Sequence, residues 1–464
     1  MSARLFLLAA LVFVALSGCS PSSVGQAKDP GALTFEGALS NRYVASGEAS
    51  PALARLRIGT VAPPEADKPS VNLALVVDTS GSMEGQPIED ARAASMAMID
   101  ALAEGDKLAV VVFHSKAEVL LPSTPVDADN RAEIKAQLRA MKAQGTTDMG
   151  SGLQAGLDQV YANLEPRGIN RVVLLGDGVP NEEGRIRSMA SEAGSRGVTI
   201  TALGLGLDYN ESLMGAVAQA SGGRFHYIER SEEVASFFKE EVLRLQGVLA
   251  RNATLELTPG PGVRIEGVVG HPVYQNGAKV QVTLGDFSRG DKRDLIVKLS
   301  ADPRREGAAV ELLDAVLLFD DAVEGAGRLE RRVFLGARST GSKSDLEEGR
   351  NRDVEDSAAS IQASAATLKA IEAARNGDTG RAQEMLEQAA EEASRGAQLN
   401  ANAALEQKAN SMRDLSRILP SAAAPAAQPA VAPPMPVRRE AAGAPKVPPA
   451  RAVRKAHDEA MQQF

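Results

Sequence analysis

The residues best suited to chemistry stand together in Asp78-Thr79-Ser80-Gly81-Ser82-Met83. A carboxylate is followed by hydroxyls at a two-residue spacing, and Gly81 lets the loop turn tightly, so three oxygen groups face one point. Hard divalent cations such as Mg2+ take oxygen donors in octahedral geometry and usually keep several waters. Two further stretches carry matching groups. Gly145-Thr146-Thr147-Asp148-Met149-Gly150 opens a helix with another hydroxyl, and Val172-Val173-Leu174-Leu175-Gly176-Asp177-Gly178 ends a strand with a second carboxylate. A simpler role is also open to the first motif: a helix N-cap loop whose hydroxyls cap a helix beginning near Pro87. The chain holds one cysteine, which excludes an intrachain disulfide framework and any multi-cysteine zinc or iron–sulfur site.

These residues need a scaffold that brings their loops to one edge. Near-continuous Val, Leu and Ile runs at 71–77, 107–113, 171–175 and 198–205, with a short one at 225–228, read as strands covered on both faces. Helical spacing separates them at 88–102, 131–141, 150–164, 186–195 and 213–220, and a last helix follows at 232–249. The expected fold is α/β, a doubly wound parallel sheet at residues 70–249, with the candidate loops at its carboxyl edge, where open parallel sheets place ligands. After it the pattern changes to period two, giving an antiparallel β-sandwich at 250–338. Strands at 33–61 are positioned to complete that sandwich, which makes the α/β unit an insertion. Residues 353–420 read as a helical hairpin or small bundle. Residues 421–464 form an Ala/Pro-rich tail without fixed structure, its last residues, 451–464, able to form a short exposed amphipathic helix.

The strand ending in Asp78-Thr79-Ser80-Gly81-Ser82, the Gly-Thr loop and the strand end Leu174-Leu175-Gly176-Asp177-Gly178-Val179-Pro180-Asn181 closely resemble the von Willebrand factor type A (VWA) domain. In that family these positions form a metal-ion-dependent adhesion site. The resemblance implies that Ser80 and Ser82 ligate the ion directly and Thr147 directly or through water, with Asp78 and Asp177 acting largely through bridging waters. Thr146 stands where a second Gly is common and Asp148 where Asn is common, so the loop carries an added carboxylate. The implied cofactor is Mg2+, with Mn2+ or Ca2+ as substitutes. Two carboxylates and three neutral hydroxyls leave a divalent ion under-neutralised, so an Asp or Glu of a partner protein supplies the missing ligand and charge.

The start of the chain gives an address. Arg4 and an apolar run at 5–16 have the form of a secretory signal, and Leu16-Ser17-Gly18-Cys19 resembles the lipobox of bacterial lipoproteins. That resemblance implies a signal peptide at 1–18, Cys19 joined to diacylglycerol with palmitate-type acyl chains, and a tether at 19–32. The expected location is the bacterial cell envelope, with Ser20 resembling outer-membrane sorting, the protein facing periplasm or surface. With 51 basic against 60 acidic residues, a net charge of −9, a nucleic-acid partner is excluded on charge. No small-molecule substrate is expected.

Enzyme readings fare less well. A phosphatase of the haloacid-dehalogenase type needs a second Asp two residues after the first, where Ser80 stands. A serine hydrolase needs a His partner; of His114, His226, His271 and His457 only His114 and His226 lie in the α/β unit, and each of those reads as an ordinary strand or loop residue. No nucleophile elbow or phosphate-binding loop occurs. The expectation is a non-catalytic, lipid-anchored binding module. The alternatives are an envelope scaffold with a vestigial metal site and, further off, a metal-dependent hydrolase. Arg289-Gly290-Asp291 reads as a turn in a charged hairpin rather than as a recognition signal.

Overall fold

The computed structural model describes residues 29, 31–61, 68–176, 182–205, 210–228, 233–422 and 449–464. The leader, Cys19 and most of the tether lie outside the described residues, as do Asp177 and most of the Ala/Pro tract.

The chain opens on three strands, β1 (Leu33–Leu39), β2 (Tyr43–Ala45) and β3 (Ser50–Thr60), whose partners lie far downstream. Between them and those partners sits the α/β unit. Its elements run β4 (Val71–Asp78), α1 (Gln86–Ala101), β5 (Lys107–Phe113), β6 (Ala117–Pro125), α2 (Arg131–Arg139), α3 (Met149–Tyr161), β7 (Ile169–Gly176), α4 (Glu183–Ser195), β8 (Thr199–Leu205), α5 (Glu211–Ala220), β9 (Phe225–Ile228) and α6 (Val234–Leu245). The sheet order is β6-β5-β4-β7-β8-β9. Every residue of β4 is buried. Leu73, Leu75 and Val77 pack under α1, α2 and α6 on one face, while Ala74 and Val76 pack under α3, α4 and α5 on the other. Each fully buried Val or Leu stabilises the fold by about 1.5–3 kcal/mol, so the central strand is fixed from both sides.

The sheet is mixed rather than wholly parallel. Strand β6 runs antiparallel to β5 at one edge and has no counterpart among the strands read from sequence. The cause is its composition: Glu118, Pro122, Ser123 and Thr124 sit in a half-exposed edge strand, so no apolar run marks it.

The chain leaves α6 directly into β10 (Val248–Pro259), followed by β11 (Val263–Val268), β12 (Tyr274–Asn276), β13 (Lys279–Ser288), β14 (Lys292–Ala301), β15 (Ala309–Asp321) and β16 (Arg328–Thr340). Strand β10 thus begins at Val248, where the sequence pattern suggested helix to 249. Two sheets face each other, β1-β3-β14-β11 and β12-β13-β10-β15-β16-β2. Strand β3 pairs with β14 from Ser50 opposite Ala301 to Gly59 opposite Lys292. The α/β unit is therefore inserted between β3 and β10. Its two crossings are adjacent, since Lys68 before β4 donates to Gln246 after α6 at 3.2 Å.

The helices that follow are α7 (Lys343–Glu348), α8 (Arg352–Arg375), α9 (Thr379–Asn400), α10 (Ala403–Ala422) and α11 (Pro449–Met461). Asn351 and Asp378 cap α8 and α9 by accepting from Val354 and Arg381 N–H. Helices α8 to α10 bury an Ala-rich seam with Ile371, Leu386, Leu405 and Leu415. Helix α11 corrects the expectation of an exposed helix in an unstructured tail. Val453, His457, Ala460 and Met461 are buried, because the helix finds a groove between the α/β unit, the sandwich and the bundle.

Candidate metal centre

Strand β4 ends at Asp78 and its neighbour β7 ends at Gly176. The connection from β4 through α1 covers one face of the sheet and that from β7 through α4 covers the other. The crevice between these strand ends is the topological switch point, where open α/β sheets place their ligands.

Asp78 is 0% exposed, and its Oδ1 accepts the Ser80 N–H at 2.8 Å. That bond folds the loop over the carboxylate and sets the Ser80 and Ser82 Oγ atoms 3.0 Å apart. Adjacent ligands on an octahedral ion with bonds of about 2.0–2.1 Å stand about 2.9 Å apart, so the two hydroxyls fit two neighbouring positions on one small cation. Neither the single 3₁₀ turn Gly81–Met83 nor α1 is capped by a side chain, and the α1 N-cap is Gly85. The Ser80 hydroxyl therefore does not serve as a helix cap.

A second loop is laced to the first. Gly81 N–H donates to the Gly145 carbonyl at 3.1 Å and Gln144 N–H to the Thr79 carbonyl at 2.7 Å. Thr79 is held in turn by its N–H and Oγ1, which both donate to the Phe113 carbonyl at 2.8 and 3.1 Å. Gly145 has φ +75° and a Cβ there would overlap Ser115 Oγ, so the position requires glycine. Thr147 follows two residues later, half-buried, just before α3. Asp148 caps α3, its Oδ1 accepting the Ser151 N–H at 3.0 Å. Helix α3 approaches closely enough that a Cβ at Gly156 would overlap Val76 of β4, the strand that carries Asp78.

The structure thus brings Asp78, Ser80 and Ser82 together and ties their loop to the one holding Thr147. Asp177 lies outside the described residues. Its predecessor Gly176 borders the site, an added Cβ there lying 3.6 Å from Asp78 Oδ2. Sequence reasoning missed the bracing groups Phe113, Ser115 and Gln144. The available signal was the position of 113–115 at the carboxyl end of β5, the same edge as Asp78. His114 is a brace as well: its Nδ1 accepts the Ser115 N–H at 2.8 Å and its Nε2 is 3.2 Å from the Gln144 side-chain nitrogen. Among the described residues no group of three or more His, Cys, Asp and Glu side chains is placed to hold a metal, so the hydroxyl-rich cluster at β4 is the oxygen site to consider. Arg289-Gly290-Asp291 closes the β13–β14 hairpin, with Asp291 accepting Ser288 N–H at 2.9 Å and pairing with Arg244 at 3.1 Å.

Comparison with known proteins agrees with this architecture. Residues 72–240 match the von Willebrand factor type A domain. An uncharacterized protein of Synechocystis sp. is 31% identical over 272 residues, covering 56% of this chain and 64% of that protein. Human inter-alpha-trypsin inhibitor heavy chain H4 is 26% identical over 174 residues, 35% of this chain and 19% of its own length. The chain thus spans less than two thirds of either relative. Among solved structures, a von Willebrand factor type A protein from Catenulispora acidiphila superposes with a TM-score of 0.66 at 21% identity, covering 83% of this chain and 88% of the other. The ArnB paralog VWA2 from Sulfolobus acidocaldarius gives 0.59 at 14% identity, covering 84% and 98%. The strand order, the loops at the switch point and the match at residues 72–240 together establish that this chain carries a von Willebrand factor type A domain.

Proposed function

We propose that the VWA domain binds a divalent cation, Mg2+ or in its place Mn2+ or Ca2+, through Asp78, Ser80, Ser82, Thr147 and Asp177, and through that cation an Asp or Glu of a partner protein. The observation that carries the reading is the pair of hydroxyl oxygens 3.0 Å apart above a fully buried carboxylate. Domains of this type commonly mediate protein–protein interaction. Neutral hydroxyls leave the ion with net positive charge, which recruits a carboxylate from outside. The chemistry is binding without turnover, since His114 is engaged in bracing the loop and not in activating a serine. Titration calorimetry of the full chain with MgCl2 tests it: the wild type gives a saturable heat that Asp78→Ala abolishes, and partner capture fails in EDTA. Absence of Mg2+ binding in the wild type favours a scaffold with a vestigial site.

The same proposal includes the address. Cys19 carries the lipid and holds the domain at the bacterial envelope, outer membrane rather than inner. Detergent-phase partition of the expressed chain, lost in Cys19→Ser, is the expected outcome; partition unchanged by the substitution overturns it.

A further inference from the structure

Helix α11 touches three units at once. The Asp458 carboxylate accepts the backbone N–H of Tyr227, on edge strand β9, at 3.0 Å. His457 is 3% exposed and packs edge-on against Phe225 of the same strand with ring centroids 5.1 Å apart. Gly215 of α5 makes room for it: a Cβ there would stand 3.0 Å from His457 Cε1 and 3.2 Å from Met461 Sδ. At the far end, Phe464 packs edge-on against His271 at 5.6 Å and fills a cradle at Gly270, where a Cβ would overlap its ring. Two glycines on two different units are thus shaped around one helix.

The helix depends on that groove. A segment of 13 residues is marginally helical alone in water, so leaving the groove and losing helicity are one event. The groove also discriminates by charge. The Nδ1 of His457 is buried and has no hydrogen-bond partner among the described residues. Arg375 of α8 and Arg454 of α11 are near enough for their charges to disfavour a charged ring. Both guanidiniums are drawn to Glu211 at the start of α5, at 2.8 and 4.0 Å, while Asp458 is turned to Tyr227 and β9 presents the Phe225 ring. An imidazolium there meets two like charges in a buried site.

We propose that α11 is a strap released by protons: docked, it binds β9 and α5 of the VWA domain to the sandwich and the bundle, and protonation of His457 expels it. Burial, then Arg375 and Arg454, hold the docked imidazole down to about 3 from its ordinary 6.5. Docking is therefore at full strength above pH 6.5 and weakens as pH falls from there toward 3. From pH 7.5 to 5.0 the docking equilibrium falls by about 30-fold through this one group. His271, held at about 4 by burial and then by Arg293, acts in the same direction at the Phe464 end.

Hydrogen exchange on the full chain at pH 7.5 and 5.0, corrected for intrinsic rates, reads this directly. Protection of the α11 amides and of Tyr227 drops by up to about 30-fold, the raised carboxyl of buried Asp458 working against the loss, while β4 and β7 keep theirs, and His457→Gln removes most of the difference. Protection of α11 independent of pH, a loss shared equally by β4 and β7, or an unchanged pH dependence in His457→Gln overturns the proposal. Should His457→Gln leave α11 undocked at both pH values, histidine-labelled wild-type chain decides by NMR. A neutral His457 at pH 5 in the docked form supports the strap, and titration near 6.5 with α11 still protected overturns it.

Discussion

Gly145 sets the spacing between the two halves of the candidate centre. Its carbonyl receives the Gly81 N–H, its φ of +75° is left-handed, and Ser115 fills the space where a side chain would begin. A β-branched residue pays about 1–2 kcal/mol in that conformation and must also displace Ser115. In Gly145→Val we expect Mg2+ affinity to fall tenfold or more with a smaller change in thermal midpoint, measured by calorimetry and melting; equal affinity removes the bracing role. At this scale, the candidate positions Asp78, Ser80 and Ser82 were legible because a carboxylate and two hydroxyls alternate just past an apolar strand. The Phe113 carbonyl and the Gln144 amide were not, because a backbone group that bonds across distant segments leaves no mark on residue type.

The elements were legible where burial is two-sided. β4, β5, β7 and β8 announce themselves as near-continuous apolar runs because helices cover both faces. β6 escaped because an edge strand with Glu118 and Pro122 carries polar and apolar residues without a clean period. Helix α11 was recognisable as a helix, yet its setting was not. Arg454 and Asp458 have the look of a solvent-facing stripe, but Glu211 and the Tyr227 N–H receive them. The glycines that admit the helix, Gly215 and Gly270, lie on segments remote in sequence, and no local pattern connects them to it.

Across the whole molecule, one buried charge cluster joins the inserted domain to its host. Arg171 of β7 is 1% exposed and reaches Thr201 of β8 at 3.0 Å, Glu241 of α6 at 3.6 Å and Asp286 of β13 at 3.0 Å. Burial pushes the Glu241 carboxyl up, but Arg171, Arg244 and the Thr201 hydroxyl outweigh it and hold it below its ordinary value. This stabilisation is present at neutral pH and is lost as acid protonates the carboxylate. Arg171→Met leaves Glu241 and Asp286 without their shared cation and is expected to cost about 3–5 kcal/mol, read by chemical denaturation at pH 7. A midpoint within error of wild type counts against the cluster as the joint.

The adjacent crossings at Lys68 and Gln246 have a mechanical meaning. Both chain connections leave the VWA domain at the amino edge of its sheet, opposite Asp78 and Ser80. A pull applied at that carboxyl edge and resisted by the sandwich therefore runs along the strands and divides between two covalent links in parallel. Each link runs into a paired strand of the host, β3 against β14 and β10 against β13 and β15, so a domain hung this way is loaded like a loop of rope over two pegs instead of a single thread.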